Sequence, residues 1–372
     1  MSEAPPGAPP PDRPFDEPEE PAPAPAAGPP VAAAEGPPPA PREPLRLGER
    51  MVPEGTSARV DLPVARLFTG TWLQLPVTVL HGARPGPRVF LDAAIHGDEL
   101  NGMEIIRRVL DVLDPARLAG AIIAVPVVNV LGFVHQTRYL PDRRDLNRSF
   151  PGSPRGSMAA RLAHLFMQQV VAKCTYGIDL HTGSQHRTNL PQIRARLDDP
   201  EGRRIAEAFG APMMYQANEI PGSLRAAARR RGVHLLVYEA GEPLRFDEPA
   251  IRMGVAGVLR VLAVLGMWEA ADGGAPPPPS FEAGDTSWVR APRSGIFHLT
   301  ARLGEQARRG QQLGYLSAPF GDHSQPVKAP FEGLVIGHTS NPLVYRGDAL
   351  LHLARGTQSA RAPARVRQNG PP

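Results

Sequence analysis

"FLDAAIHGDELNG", residues 90–102, sets an apolar run of strand character directly against a histidine, an aspartate and a glutamate. One reading is a solvated turn ahead of a helix, whose N-terminus favours acids. The other is a pair of metal ligands, with the His96 imidazole leaving the strand end and the Glu99 carboxylate starting the helix, both able to reach one point. On either reading the stretch predicts a strand followed by a helix, and the rest of the chain shows whether that unit repeats.

It does repeat. "PRVFLDAAI", "GAIIAVPVV", "YGIDLH" and "HLLVYEA" have the length and apolar continuity of buried strands, and "GMEIIRRVLDVL", "SMAARLAHLFMQQVV", "PEGRRIAEAFG" and "EPAIRMGVAGVLRVLAVLG" carry helical periodicity. Continuous apolar strands interleaved with helices predict an α/β domain with a mostly parallel or mixed central sheet covered by helices on both faces. Ligands of such sheets sit beyond the carboxyl ends of the strands. His96, Asn129, His181 and Glu239 all fall at or just past such an end, so four polar side chains from distant segments could meet there.

Composition sets the outer limits. Residues 1–45 form a Pro/Ala-rich segment, with 17 of the 45 prolines inside the first 44 positions, and such a segment cannot bury enough apolar area to offset its ordering entropy. It is expected to be a disordered tail. The α/β domain is expected over 46–271, a stiff linker over "DGGAPPPPS" at 272–280, and a loose basic tail over 356–372. The net charge of +4 is small and owes part of its excess to that tail, so no nucleic-acid surface is read from it; "RRR" at 229–231 fits a solvated helix face. No apolar run reaches the ~18 residues of a spanning helix and no secretory signal opens the chain, so a cytoplasmic, non-membrane protein is expected. The single cysteine, Cys174, excludes an intramolecular disulfide and a thiolate metal cluster. Whether the chain forms a homo-oligomer stays open.

Residues 281–355 have another texture, rich in glycine and short strands, and they repeat. "RAPRSGIF" at 290 matches "KAPFEGLV" at 328, and "RGQQLGYL" at 309 matches "RGDALLHL" at 346. Two such halves predict a small all-β barrel-sandwich-like domain with pseudo-two-fold symmetry, resembling the biotinyl and lipoyl hybrids. Lys328 opens a strand matched by Arg290, whereas carrier lysines occupy a hairpin tip, which argues against a swinging cofactor.

A hydrolytic zinc site needs three protein ligands and one open position. Of eleven histidines only His96 has glutamate three residues on, and "DLHTG" offers His181 as a third donor. Asp179, two residues earlier on the same strand, would share its face and could orient that imidazole, as zinc-bound histidines require. In "RYLPDRRDLNRSFPG", residues 138–152, Asn147 and Arg148 combine an amide with a planar fork suited to a carboxylate, and Arg138 could donate to an oxyanion. Glu239 ends "VYEA", where a carboxylate could serve as general base.

His96-x-x-Glu99, "RDLNR", "DLHTG" and "YEAGE", in that order, resemble the succinylglutamate desuccinylase and aspartoacylase family, a branch of the zinc carboxypeptidase fold. The likeness spans roughly residues 47–355. It implies one zinc ion held by His96, Glu99 and His181, Glu239 as catalytic carboxylate, Asn147 and Arg148 as binders of the substrate carboxylate, Arg138 as the group polarising the scissile carbonyl, and Asp145 as an acid supporting these basic groups. It further implies a C-terminal unit that walls the site and lends it a tyrosine, for which Tyr345 is the candidate. The activity implied is removal of an N-acyl group from an amino acid or similar small carboxylate. A metallocarboxypeptidase acting on peptides or glutamyl tails is the alternative, and a non-catalytic binding scaffold the second.

Overall fold

The computed structural model describes residues 44–269, 277, 279–321 and 324–357. The expected tails and most of the 272–280 segment, beyond their innermost residues, lie outside those described. The chain opens with β1 (Leu45–Leu47) and β2 (Arg50–Val52), a small antiparallel pair. The α/β part runs β3 (Thr56–Arg66), β4 (Trp72–His81), β5 (Arg84–Ala93), α1 (Asn101–Val112), β6 (Ala119–Val125), α2 (Val130–Val134) and α3 (Met158–Gln169). It continues with β7 (Tyr176–His181), β8 (Arg187–Ala195), α4 (Pro200–Phe209), β9 (Met213–Gln216), α5 (Leu224–Arg229), β10 (His234–Gly241) and α6 (Glu248–Val264). Strands β5, β6, β7 and β10 and helices α1, α3, α4 and α6 coincide with the apolar patterns of the sequence.

The strands join in the order β9-β8-β10-β7-β5-β6-β4-β3. β5 lies parallel to β6 and β7, β7 to β10 and β8 to β9, while β10–β8, β4–β6 and β3–β4 are antiparallel, so the sheet is mixed. Four of its strands carry internal prolines, which speak against a strand when read in sequence. The structure accommodates each where the ladder does not need its missing N–H. Pro63 sits at a register shift of β3, Pro76 precedes the Thr78–His81 stretch that pairs with β6, Pro85 and Pro87 fall in the register shift of β5 between Arg84 and Arg88, and Pro191 lies in β8 across from the register shift of β10 between Glu239 and Gly241.

Alternation along the central strands sends neighbouring residues to different cores. Val89, Leu91, Ile178, Leu180, Leu236 and Tyr238 belong to the core that also holds Ile105 and Ile106 of α1, Ile205 of α4 and Val258 and Val261 of α6. Phe90 and Leu235 belong to the other, with Phe166 and Met167 of α3 and Leu224 of α5. Gly177 explains how closely this second face packs: a Cβ there would come within 2.2 Å of Phe90 Cζ. Cys174 is free and buried near it, and burial pushes its thiol up to about 12.

The C-terminal β region comprises β11 (Phe281–Arg290), β12 (Gly295–Leu299), β13 (Gln306–Ala307), β14 (Gln312–Ser317), β15 (Gln325–Lys328), β16 (Gly333–Thr339), β17 (Leu343–Val344) and β18 (Ala349–Gly356). One layer has the order β15-β14-β12-β17 and the other β11-β18-β16-β13. Replacing each strand by its counterpart four elements later or earlier exchanges the two orders, as the sequence duplication requires. The second layer also continues the central sheet, through parallel pairing of β11 with β9 and antiparallel pairing of β16 with β8, giving 12 strands in all. Among the described residues no helix is long and apolar enough to cross a membrane.

Candidate active site

The face of the sheet that buries Phe90 and Leu235 changes character toward the strand ends. Register alignment lays Asp92, Asp179, Val237 and Arg194 side by side across β5, β7, β10 and β8, and the next row places His181 beside Glu239 and Gln192. Of these rows, Asp179, His181, Arg194, Val237 and Glu239 line a cavity of about 190 Å³. His96, Glu99, Arg138, Asn147, Arg148, Asp179, His181 and Glu239 all line it.

β5 stops at Ala93, and Ala94 takes a left-handed φ of 49°, a conformation costing a non-glycine residue on the order of 1 kcal/mol. Backbone bonds from Val128 N to Ala93 O and Asn129 N to Ala94 O hold this turn. Gly97 then presses against α2, where a Cβ would lie 2.0 Å from the Gly132 carbonyl carbon. Glu99 N donates to His96 O at 3.1 Å, so the His-x-x-Glu pair is brought round by a turn. Glu99 therefore precedes α1, whose cap is Leu100, and does not lie in its first turn as the sequence suggested.

Two imidazoles meet this carboxylate. His96 Nδ1 lies 2.7 Å from Glu99 Oε1 and His181 Nδ1 2.6 Å from Oε2, and the three ligand atoms fall within 4.8 Å of one another. All three residues are buried. The far nitrogens face further acids: His181 Nε2 stands 2.8 Å from Asp179 Oδ1, and His96 Nε2 3.4 Å from Asp145 Oδ1. Burial raises the proton affinity of Glu99, but the two imidazoles outweigh it and hold the carboxyl well below its ordinary range. Burial likewise opposes protonation of His181, yet Asp179 and Glu99 hold it well above the usual histidine value. Asp92, fully buried, is pushed well up by burial and then by Asp179.

Two nitrogens and one carboxylate, each imidazole backed by an acid, are a donor set that suits a divalent ion of the zinc type. The residues fit such an ion in this respect, and its binding would compete with protons for the two imidazoles.

The 138–152 loop is irregular around one 3-10 turn, Leu146–Arg148, capped by Asp145, whose side chain accepts from Asn147 N. Asp145 also accepts from Arg138 Nη2 at 2.8 Å, and Arg138 Nη1 donates to Ser184 Oγ at 2.5 Å, whose hydroxyl bonds Glu99. Asn147 Oδ1 accepts from Leu224 N at 2.9 Å, which commits its oxygen and leaves the NH2 to offer. Arg148 donates to Asn147 O and is exposed. Glu239 accepts from Asn189 at 2.7 Å and is paired with Arg194, Nη1 to Oε1 at 2.7 Å and Nη2 to Oε2 at 2.9 Å.

Two further expectations are corrected. Asn129 is fully buried but is absent from the cavity wall; it accepts from Gly132 N at the start of α2 and donates to Arg138 O, so backbone groups consume it. Tyr345 is 78% exposed and lines no part of the cavity; the aromatic that the C-terminal β region brings there is Trp288. Sequence reading also passed over Asp92, Arg194, Asn189 and Arg187. Asp92 was visible as a lone charge inside "VFLDA", whereas Pro191 hid the strand that carries the other three.

A family model, the succinylglutamate desuccinylase/aspartoacylase catalytic domain, matches residues 85–265. A curated relative, N-alpha-acetyl-L-2,4-diaminobutyric acid deacetylase of Halomonas elongata, is 27% identical over 300 residues, covering 77% of this chain and 87% of its own. Among solved structures, a succinylglutamate desuccinylase/aspartoacylase from Rhodobacter sphaeroides superposes with a TM-score of 0.72 at 28% identity, over 81% of this chain and 96% of that one. The ectoine utilization protein EutE (DoeB) of Ruegeria pomeroyi, in a product-bound form, gives 0.73 at 23% identity over 84% and 99%, a likeness of fold.

Proposed function

Because the chain belongs to the succinylglutamate desuccinylase/aspartoacylase family, we propose that it is a zinc-dependent amidohydrolase removing an N-acyl group from an amino acid or similar small carboxylate. The observation that carries this reading is the convergence of His96, Glu99 and His181 beside Glu239 in one cavity. These three residues would hold the ion, which when bound supplies Lewis acidity and a water acidified to a pKa of ~7.

The remaining chemistry belongs to side chains. Arg148, with the Asn147 NH2, binds the substrate carboxylate and so turns the acyl carbonyl toward the three ligands. Arg138, steadied by Asp145 and Ser184, donates to the carbonyl oxygen as negative charge develops on it, a contribution of about 3 kcal/mol for one such donor. Glu239 accepts the proton of the attacking water and returns it to the departing nitrogen. Arg194 and Asn189 hold that carboxylate in one orientation throughout. The cavity's small volume, walled on one side by Trp288, favours a small substrate over the peptides of a carboxypeptidase.

The test is a hydrolysis panel of N-acetyl amino acids, N-succinyl amino acids and peptides with zinc-loaded protein. Turnover of the acylated amino acids, falling about 10²- to 10⁴-fold in Glu239→Gln, is expected. Cleavage of peptides alone would transfer the assignment to a carboxypeptidase, and unchanged turnover in the variant would remove Glu239 as the base.

A further inference from the structure

A second cavity, of about 100 Å³, lies beside the first along the same face of the sheet. Val237 of β10 and Arg194 of β8 line the first. Leu235, two residues back along β10, and Arg196, just past the end of β8, line the second, a step of about 7 Å at the rise of a strand. Arg225 of α5 lines both. Two residues of the second wall, Arg229 and Gly232, are exposed, so this cavity opens to solvent on its own side.

Most of its charges are matched. His234 Nδ1 lies 2.9 Å from Asp199 Oδ2, which also accepts from Gly202 N, and Arg229 donates to Glu219 Oε2 at 3.0 Å. Two atoms are not. Arg225 Nη2 donates to Asn218 O at 2.7 Å, but Nη1 is buried with no hydrogen-bond partner, and so is Glu219 Oε1. The two residues do not satisfy each other, since no nitrogen–oxygen contact within 4.0 Å joins them. A buried donor and a buried acceptor of opposite charge, held apart in one cavity, are each costly until a ligand meets them. The ligand that meets both carries an anion and a cationic donor a few bonds apart. A free α-amino acid has that pair. An N-acyl amino acid has given up the ammonium to its amide, and a simple carboxylate lacks one.

We propose that this second cavity binds a free α-amino acid with a small side chain, its carboxylate on Arg225 and its ammonium on Glu219. Occupancy reaches the active site through α5. Ser223 caps that helix, Leu224 N donates to Asn147 Oδ1 at 2.9 Å, and Gly222 O accepts from Phe150 N at 2.9 Å. The segment that carries Arg225 therefore also holds the loop of Asn147 and Arg148, and drawing Arg225 toward the second cavity weakens substrate binding in the first. That the amino acid is the reaction's own product, and the coupling a feedback, rests on the deacylase reading; the binding itself does not.

Calorimetry on the zinc-loaded protein compares L-alanine, propionate and ethylamine in wild type and in Arg148→Ala, which removes the active site's own carboxylate binder. L-Alanine is expected to bind in both, with propionate and ethylamine, each keeping one of the two groups, weaker by about tenfold or more. Glu219→Gln weakens L-alanine about tenfold, whereas Arg229→Gln, which breaks the Glu219–Arg229 pair and leaves the proposed acceptor in place, does not; thermal melting of each variant separates lost binding from misfolding. In hydrolysis of an N-acetyl amino acid that the protein turns over, added L-alanine raises KM about fivefold to a plateau, and Glu219→Gln keeps wild-type kinetics without L-alanine but loses that response. L-Alanine binding that vanishes in Arg148→Ala and ignores Glu219→Gln, or propionate binding as tight as that of L-alanine, overturns the proposal, and a rise in KM without a plateau overturns the feedback. Glu219-dependent binding of L-alanine with no turnover of any acylated amino acid would instead sink the deacylase reading and leave the site standing.

Discussion

Leu180 and His181 are adjacent in β7 and face opposite sides of one sheet. Leu180 looks into a core sealed by α1, α4 and α6, and that side is apolar along the whole strand. His181 looks the other way, where Phe90 and Gly177 give way within a few residues to Asp92, Asp179 and the histidines. One face supplies cohesion and the other a buried set of charges, which costs stability unless every charge is matched. The site is thus backed, one residue away, by an apolar packed core.

The contrast can be broken from either side. The largest effect is expected from His181→Ala: bound zinc falls from about one per chain to background in a metal assay after dialysis, hydrolysis vanishes, and the fold persists by circular dichroism. Retained metal would show that the ion sits elsewhere. Leu180→Ala should do the reverse, lowering unfolding free energy by about 2–5 kcal/mol in denaturant titration while zinc content stays unchanged. Equal metal loss in both variants would mean that the two faces are not separable.

The smallest effect concerns pH. His352 of β18 is lowered to about 3, first by burial and then by Arg194 and Arg187, so the folded protein holds it neutral while the unfolded chain titrates near 6.5. Its contribution is fully present above pH 6.5 and drains away as pH falls toward 3, the loss amounting to about 3 kcal/mol by pH 4. Melting His352→Gln beside wild type at pH 7 and pH 4 checks the sign: the variant should lose less on acidification.

The apolar face was the readable one. "GIDLH" and "HLLVYEA" announce buried strands because hydrophobic continuity is a local signal, and the helices over them show their own period. His96, Glu99 and His181 stood out through residue type, and through family resemblance, more than through periodicity. What escaped was set by tertiary contact. Pro63, Pro76 and Pro191 masked strands because their harmlessness depends on bulges and on pairing extents that only register reveals. Arg194 and Arg187 were invisible for the same reason, and Trp288 reaches the cavity only because β11 extends the sheet beyond β9. Asn129 misled in the opposite direction, since a strand-end position cannot distinguish a side chain offered to a ligand from one consumed by a helix cap.

The duplicated C-terminal strands depend on one another. Within a half only β12–β14 and β16–β18 pair, whereas β14–β15, β12–β17, β13–β16 and β11–β18 join one half to the other. A solitary half would thus expose most of its strand edges, and would find their complement only in a twin. The present region has the architecture of two mutually complementary copies joined in one chain, and only the first half carries the tryptophan that faces the cavity.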